Sequence, residues 1–177
     1  MKGNLMIMAA VGAGCAVWFF AAGLMAGTTV ADVIEMKNPA YEEHKKPVVR
    51  FKHKAHSEQF GGKYPEIFKS GCGECHHDED NEPRVDLKAG DDVNNCIECH
   101  DRPGEMPGAE KRKLRKQGLS REERKVRERE YHAEALHDKC RGCHRKARKE
   151  TDTRKPPITC SKCHLKDKSK DKSKDKS

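Results

Sequence analysis

The apolar residues of this chain are concentrated at its start. Lys2 precedes an uncharged run from Leu5 to Gly27, and Thr29-Val30-Ala31 then offers small residues ahead of Asp32. That order reads as a secretory signal. The run is longer than an ordinary signal core and close to bilayer length, so a retained anchor is the alternative for residues 1–31. Residues 32–47, with Pro39 and Pro47, read as irregular. Val48 to His53 alternates, with Val49, Phe51 and His53 on one face, and predicts a short strand. Residues 78–95 (Asp78, Glu79, Asp80, Glu82, Asp86, Asp91, Asp92) have no EF-hand spacing and read as a solvated acidic loop rather than a Ca²⁺ site. Pro103, Gly104, Pro107 and Gly108 interrupt the next stretch before the basic run Lys111 to Lys116. From Ser120 a capping box with Glu123 opens a helix to about Asp138, with Glu123–Arg127 or Arg124–Glu128 as i,i+4 pairs. Its stripe of Val126, Ala133 and Leu136 is thin, so it should pack only near Tyr131, His132, Leu136 and His137. Lys166 to Ser177 is three copies of Lys-Asp-Lys-Ser, a low-complexity tail expected to be disordered.

Composition sharpens the problem. Of 177 residues, 37% are charged and 5% aromatic, and much of the apolar content lies in the leader. The remainder drifts toward the composition of disordered chains. Something other than side chains has to supply a core.

The cysteines identify what that is. Cys72-Gly73-Glu74-Cys75-His76 recurs as Cys96-Ile97-Glu98-Cys99-His100, Cys140-Arg141-Gly142-Cys143-His144 and Cys160-Ser161-Lys162-Cys163-His164. Cys-x-x-Cys-His is the attachment signature of c-type haem: two thiols form thioethers to one haem edge and the following imidazole reaches the iron. Eight of the nine cysteines are used in this way, leaving Cys15 in the leader. Zinc sites built from CxxC pairs would leave the histidine after every pair unexplained. A disulfide scaffold does not account for four identical units. Four covalent haems, each a large apolar body, would provide the missing core, so the haem-free chain is expected to be mostly unfolded by circular dichroism. Covalent attachment takes place after export in bacteria, so the haem region lies outside the cytoplasm.

Four of the ten histidines sit in the motifs, leaving His44, His53, His56, His77, His132 and His137. Four irons with bis-histidine ligation need four of these. His53 and His56, three apart, point the same general way on a helical turn and are candidates, whereas His44 reads as a solvated side chain. Met36 and Met106, the methionines beyond the leader, sit in unstructured contexts and do not suggest His/Met sites.

Phe51-x-His53-x-x-His56, then Cys72-x-x-Cys75-His76-His77, then His137-Asp138-Lys139 before the third motif, resembles the tetrahaem cytochrome c3 family (class III cytochromes c) of sulfate-reducing bacteria. The resemblance covers residues 48–164 with motif order intact. It implies a small cofactor-cored fold, mostly irregular and α with few short strands, over residues 32–165. Residues 101–139 form a charged, partly helical insertion longer than the family pattern. Relatives often carry a longer Cys-x-x-x-x-Cys-His at the second and fourth sites; here all four are CxxCH. The resemblance also implies pairings: His53 with the haem at His76, His77 with that at His100, His56 with that at His144, and His137 with that at His164. His132 is left spare and competes with His137.

The function implied is periplasmic, low-potential electron transfer rather than catalysis, linking hydrogenase or formate dehydrogenase to a membrane redox complex. A multihaem reductase would need an iron lacking its second histidine. A haem subunit of a membrane complex would need Leu5–Gly27 uncleaved. The basic run Lys111–Lys116 does not indicate nucleic-acid binding in an exported haem protein; a solvated face is its ordinary reading, and a dock for an acidic partner the alternative. The formal charge of +8 becomes +7 without the leader. Eight haem propionates, offset by one charge per ferric haem, bring the holoprotein to roughly +3 oxidised and about −1 reduced. Lysines near one haem edge, more than net charge, would steer a partner.

Overall fold

The computed structural model describes residues 31–166; residues 1–30 of the leader and 167–177 of the Lys-Asp-Lys-Ser tail lie outside the described residues. Two strands, β1 (Ile34–Glu35) and β2 (Arg50–Phe51), pair antiparallel with Ile34 opposite Phe51 and Glu35 opposite Arg50. The lead-in read as irregular therefore supplies a strand partner, and Met36 N–H donates to Val49 C=O at 2.9 Å just beyond it. The strand expected over Val48–His53 is only two residues long. His53 instead opens a helical segment that runs through a π-helical turn, Ala55–Phe60, into α1 (Gly61–Lys63). The switch from strand to helix sends His53 and His56 out on helical spacing directly after Phe51.

The first motif forms a 3₁₀ turn, Gly71–Glu74. The chain then folds back over it: Arg84 N–H donates to His76 C=O at 3.0 Å, and His77 bridges Pro83. Gly73 is buried at this crossing, and a Cβ there would lie 3.0 Å from the Arg84 nitrogen and the Pro83 side chain. The acidic loop turns on Asp78, whose Oδ1 accepts from the N–H groups of Asp80 and Glu82. The second and fourth motifs are each a single helical turn, α2 (Cys96–Cys99) and α6 (Cys160–Cys163).

Between α2 and the third motif lie three helices: α3 (Gly108–Lys116), α4 (Arg121–Glu128) and α5 (His132–Glu150). The basic run is thus the body of α3, closed by Gly118 at φ 69°, where glycine avoids the left-handed penalty. The capping box expected at Ser120 and Glu123 is present. Glu123 turns back to the Ser120 N–H instead of forward to Arg127, which pairs with Glu130 at 3.1 Å.

The single helix expected over Ser120–Asp138 is broken. Tyr131 is extended and bridges Arg102 in parallel, and the His132 and Ala133 N–H groups donate to the Arg102 and Gly104 carbonyls. A long-range backbone pairing outweighs local helix propensity here. Beyond the break, α5 runs unbroken through the third motif, and α2 packs against it.

Buried apolar side chains among the described residues are few: Ile67, Met106, Tyr131 and Ala135. Met106, read from sequence as lying in an unstructured context, is only 4% exposed. Tyr131 is anchored within the insertion, with its hydroxyl donating to Glu110 at 2.6 Å and the Arg102 guanidinium 4.0 Å over its ring. Arg102 also pairs with Glu110 at 3.0 Å, and Lys111 of α3 pairs with Glu134 of α5. The insertion is therefore a folded unit with its own polar anchor. Elsewhere apolar packing is thin, as a chain that folds around cofactors requires.

Candidate haem-ligating sites

Each motif presents its histidine by local hydrogen bonding. His76, His100 and His164 donate their backbone N–H to the carbonyl of the first cysteine of their motif, at 3.0, 2.9 and 2.8 Å. His100 and His164 then leave helical geometry with nearly the same backbone, at φ −95°, ψ 65° and φ −98°, ψ 77°. Asn95 and Glu98 form a reciprocal cap that fixes α2 from the front. In the third motif α5 does this work, carrying His137 and His144 on one rigid rod.

The chain sets four imidazoles opposite four others. His53 lies 6.4 Å from His76 between ring centroids, His77 lies 6.1 Å from His100, His56 lies 6.2 Å from His144, and His137 lies 6.3 Å from His164. A metal–imidazole bond is about 2.0 Å and a ring nitrogen sits about 1.2 Å from its centroid, so imidazoles ligating one metal from opposite sides have centroids about 6.4 Å apart. All four separations fit one iron between each pair.

Protonation suits the same role. Nδ1 of His56, His77, His100, His144 and His164 lies 2.6–2.8 Å from a backbone carbonyl, respectively those of Lys52, Asp78, Arg129, Pro157 and Pro47. A carbonyl can only accept, so Nδ1 donates and Nε2 keeps the free lone pair that a metal needs. Burial, first of all, lowers the pKa of His56, His76, His100 and His137, which favours the neutral, ligating form. Phe51 lies 5.9 Å from His53 and 4.6 Å from His56, packing against both rings.

The eight motif cysteines are free thiols, so no disulfide joins them. Cys75 and Cys140 are reachable by water, yet chain surrounds them closely enough that burial pushes their thiols up to about 11. Among the described residues no group of three or more His, Cys, Asp or Glu could hold a metal ion, so the imidazoles stand in pairs and the zinc alternative finds no cluster.

The two remaining histidines face elsewhere. His132 is 6% exposed and its Nδ1 lies 2.8 Å from the Tyr41 hydroxyl; it does not stand opposite His164, as His137 does. His44, expected to be solvated, stacks on Tyr41 and has a buried Nε2. Tyr41, which sequence reasoning missed, thus ties both spare histidines together. Its only sequence signal is its position three residues before His44.

No described helix is long and apolar enough to cross a membrane. A model of the Class III cytochrome C family matches residues 30–164. Comparison with curated proteins and with solved structures gave no match.

Proposed function

The chain belongs to the class III cytochrome c family of multihaem electron-transfer proteins, and on that premise we propose that it is a periplasmic, low-potential carrier of four haem c groups. The observation that carries this reading is the set of four opposed histidine pairs, each with one member inside a Cys-x-x-Cys-His motif. Cys72 and Cys75, Cys96 and Cys99, Cys140 and Cys143, and Cys160 and Cys163 each hold one haem. His76, His100, His144 and His164 are the proximal ligands, with His53, His77, His56 and His137 as their respective distal partners. Haem iron supplies a one-electron couple, and two imidazole ligands with no methionine keep its potential low and its coordination closed.

The chain's own part is to hold the pairs rigid and close to one another. His76 and His77 are adjacent residues serving two sites, so one peptide bond links the first and second haems. His53 and His56 share a helical turn and link the first and third. His137 and His144 share α5 and link the third and fourth. Every site is thus tied to another through a short, stiff piece of backbone, which suits transfer between haems with little rearrangement. With no open ligand position, the protein is a carrier and not an enzyme. Its partners, in this proposal, are a hydrogenase or formate dehydrogenase on one side and a membrane redox complex on the other. The apolar segment Leu5–Gly27 is a leader that directs export.

Intact mass and a pyridine haemochrome assay on protein produced in a host that matures c-type cytochromes test the central part. Four haems per chain are expected; three or fewer would refute the assignment of all four motifs.

A further inference from the structure

Arg141 is the second residue of the third motif, and its Nε is buried without a hydrogen-bond partner. A guanidinium is always charged and its donors are costly to leave unpaired away from water. Arg141 lines a cavity of about 130 Å³ shared with His137 and with Lys125 and Arg129. A single water needs only about 10–15 Å³ of such space, so the cavity has room for a carboxylate and its stem.

The cations of the cavity are not all matched. Asp138 is held by Lys125 at 3.1 Å and Arg129 at 3.5 Å, and Glu134 is held by Lys111. That leaves Arg141 and Arg145 facing Glu128 as the one remaining carboxylate on the lining. A positive charge is therefore left over beside a buried unpaired donor, an arrangement that a carboxylate complements. The cavity also lies on the fourth site rather than the third. His137, which stands opposite His164, lines it, whereas His56 and His144 do not.

We propose that the Arg141 guanidinium receives a propionate of the haem held by His137 and His164, so that a residue of the third Cys-x-x-Cys-His motif sets the potential of the fourth haem. This rests on the ligation proposed above. Arg141 acts as a positioning residue: it fixes the carboxylate and places a positive charge near that iron, which disfavours the ferric state and raises the potential.

The test is a redox titration of the holoprotein followed by NMR, with each haem assigned through contacts to its axial imidazoles, for wild type, R141Q and R141K. Haem count and low-spin spectra of wild type come first; absence of a haem ligated by His137 and His164 would overturn the ligation reading itself. With that in place, R141Q is expected to lower the potential of the His137/His164 haem while the other three stay within error, and R141K, which keeps the charge, to restore most of it. If the His144 haem moves instead, or none does, the inference fails while the carrier reading stands. Should R141Q not take up four haems, the R141K titration decides: a fourth-haem potential moved as far as that of a neutral R145Q control contradicts the assignment. Added inorganic phosphate is the companion arm. A wild-type potential at the fourth haem that follows phosphate, in a protein whose R141Q variant ignores it, would mean a free-anion site and overturn the propionate.

Discussion

His56 and His144 are 88 positions apart in the chain, yet their rings lie 6.2 Å apart and within 30° of parallel. Neither ring is free to turn. Lys52 C=O holds His56 through Nδ1 at 2.8 Å and Phe51 packs against it, while Pro157 C=O holds His144 at 2.6 Å. Carbonyl anchors of this kind orient an imidazole and raise its strength as a ligand.

His56→Ala is therefore expected to convert one haem in four from low-spin to high-spin, read by electron paramagnetic resonance or the Soret band of the ferric protein. His132→Ala is expected to leave all four low-spin, because His132 Nδ1 is engaged with Tyr41 while His77 and His137 stand opposite His100 and His164. A spin change in the His132 variant would reverse the choice between His132 and His137.

Much of the site was legible in the sequence because attachment chemistry is local. Cys-x-x-Cys-His fits within one turn of chain, and the capping box at Ser120 and Glu123 is likewise a matter of three residues. What sequence did not reveal depends on distant backbone. The break at Tyr131 exists because Arg102, far back in the chain, pairs with it. The orienting carbonyls of Arg129, Pro157 and Pro47 carry no side-chain signature at all. Strand β1 was hidden because a two-residue strand has no period to detect. The basic run was read for its charge, although Lys, Arg and Leu are also good helix formers, which is what α3 makes of them.

Gly73 makes the first motif intolerant of a side chain. An added Cβ would meet backbone at Arg84 and the Pro83 ring at 3.0 Å, neither of which can swing aside. Gly73→Ala is expected to destabilise the holoprotein by about 1–3 kcal/mol, the usual range for overpacking. The denaturant midpoint of the ferric protein is the measurement, and an unchanged midpoint would mean that the 83–84 crossing is not held against the motif.

The insertion should respond to acid. The Tyr131 hydroxyl, and then Arg102, hold the Glu110 carboxyl below the usual carboxylate range. Because the folded value is depressed, the anchor is fully present above the unfolded value of about 4.3 and is lost as pH falls through the lower folded one. The protection factors of the α3 amides, which divide out the intrinsic slowing of exchange in acid, are expected to fall as pH drops below about 4.3, and Tyr131→Phe to move that onset to higher pH. An onset that Tyr131→Phe leaves in place would show that Glu110 is not what holds α3.

The central claim is that all four irons are closed by two histidines each. A carbon monoxide difference spectrum of the purified, fully reduced holoprotein tests it most directly, since carbon monoxide binds ferrous haem only where an axial position is open or easily vacated. No adduct is expected. A stoichiometric adduct at one haem would contradict the claim, leave that site without its second histidine, and make the protein a candidate catalyst instead of a carrier.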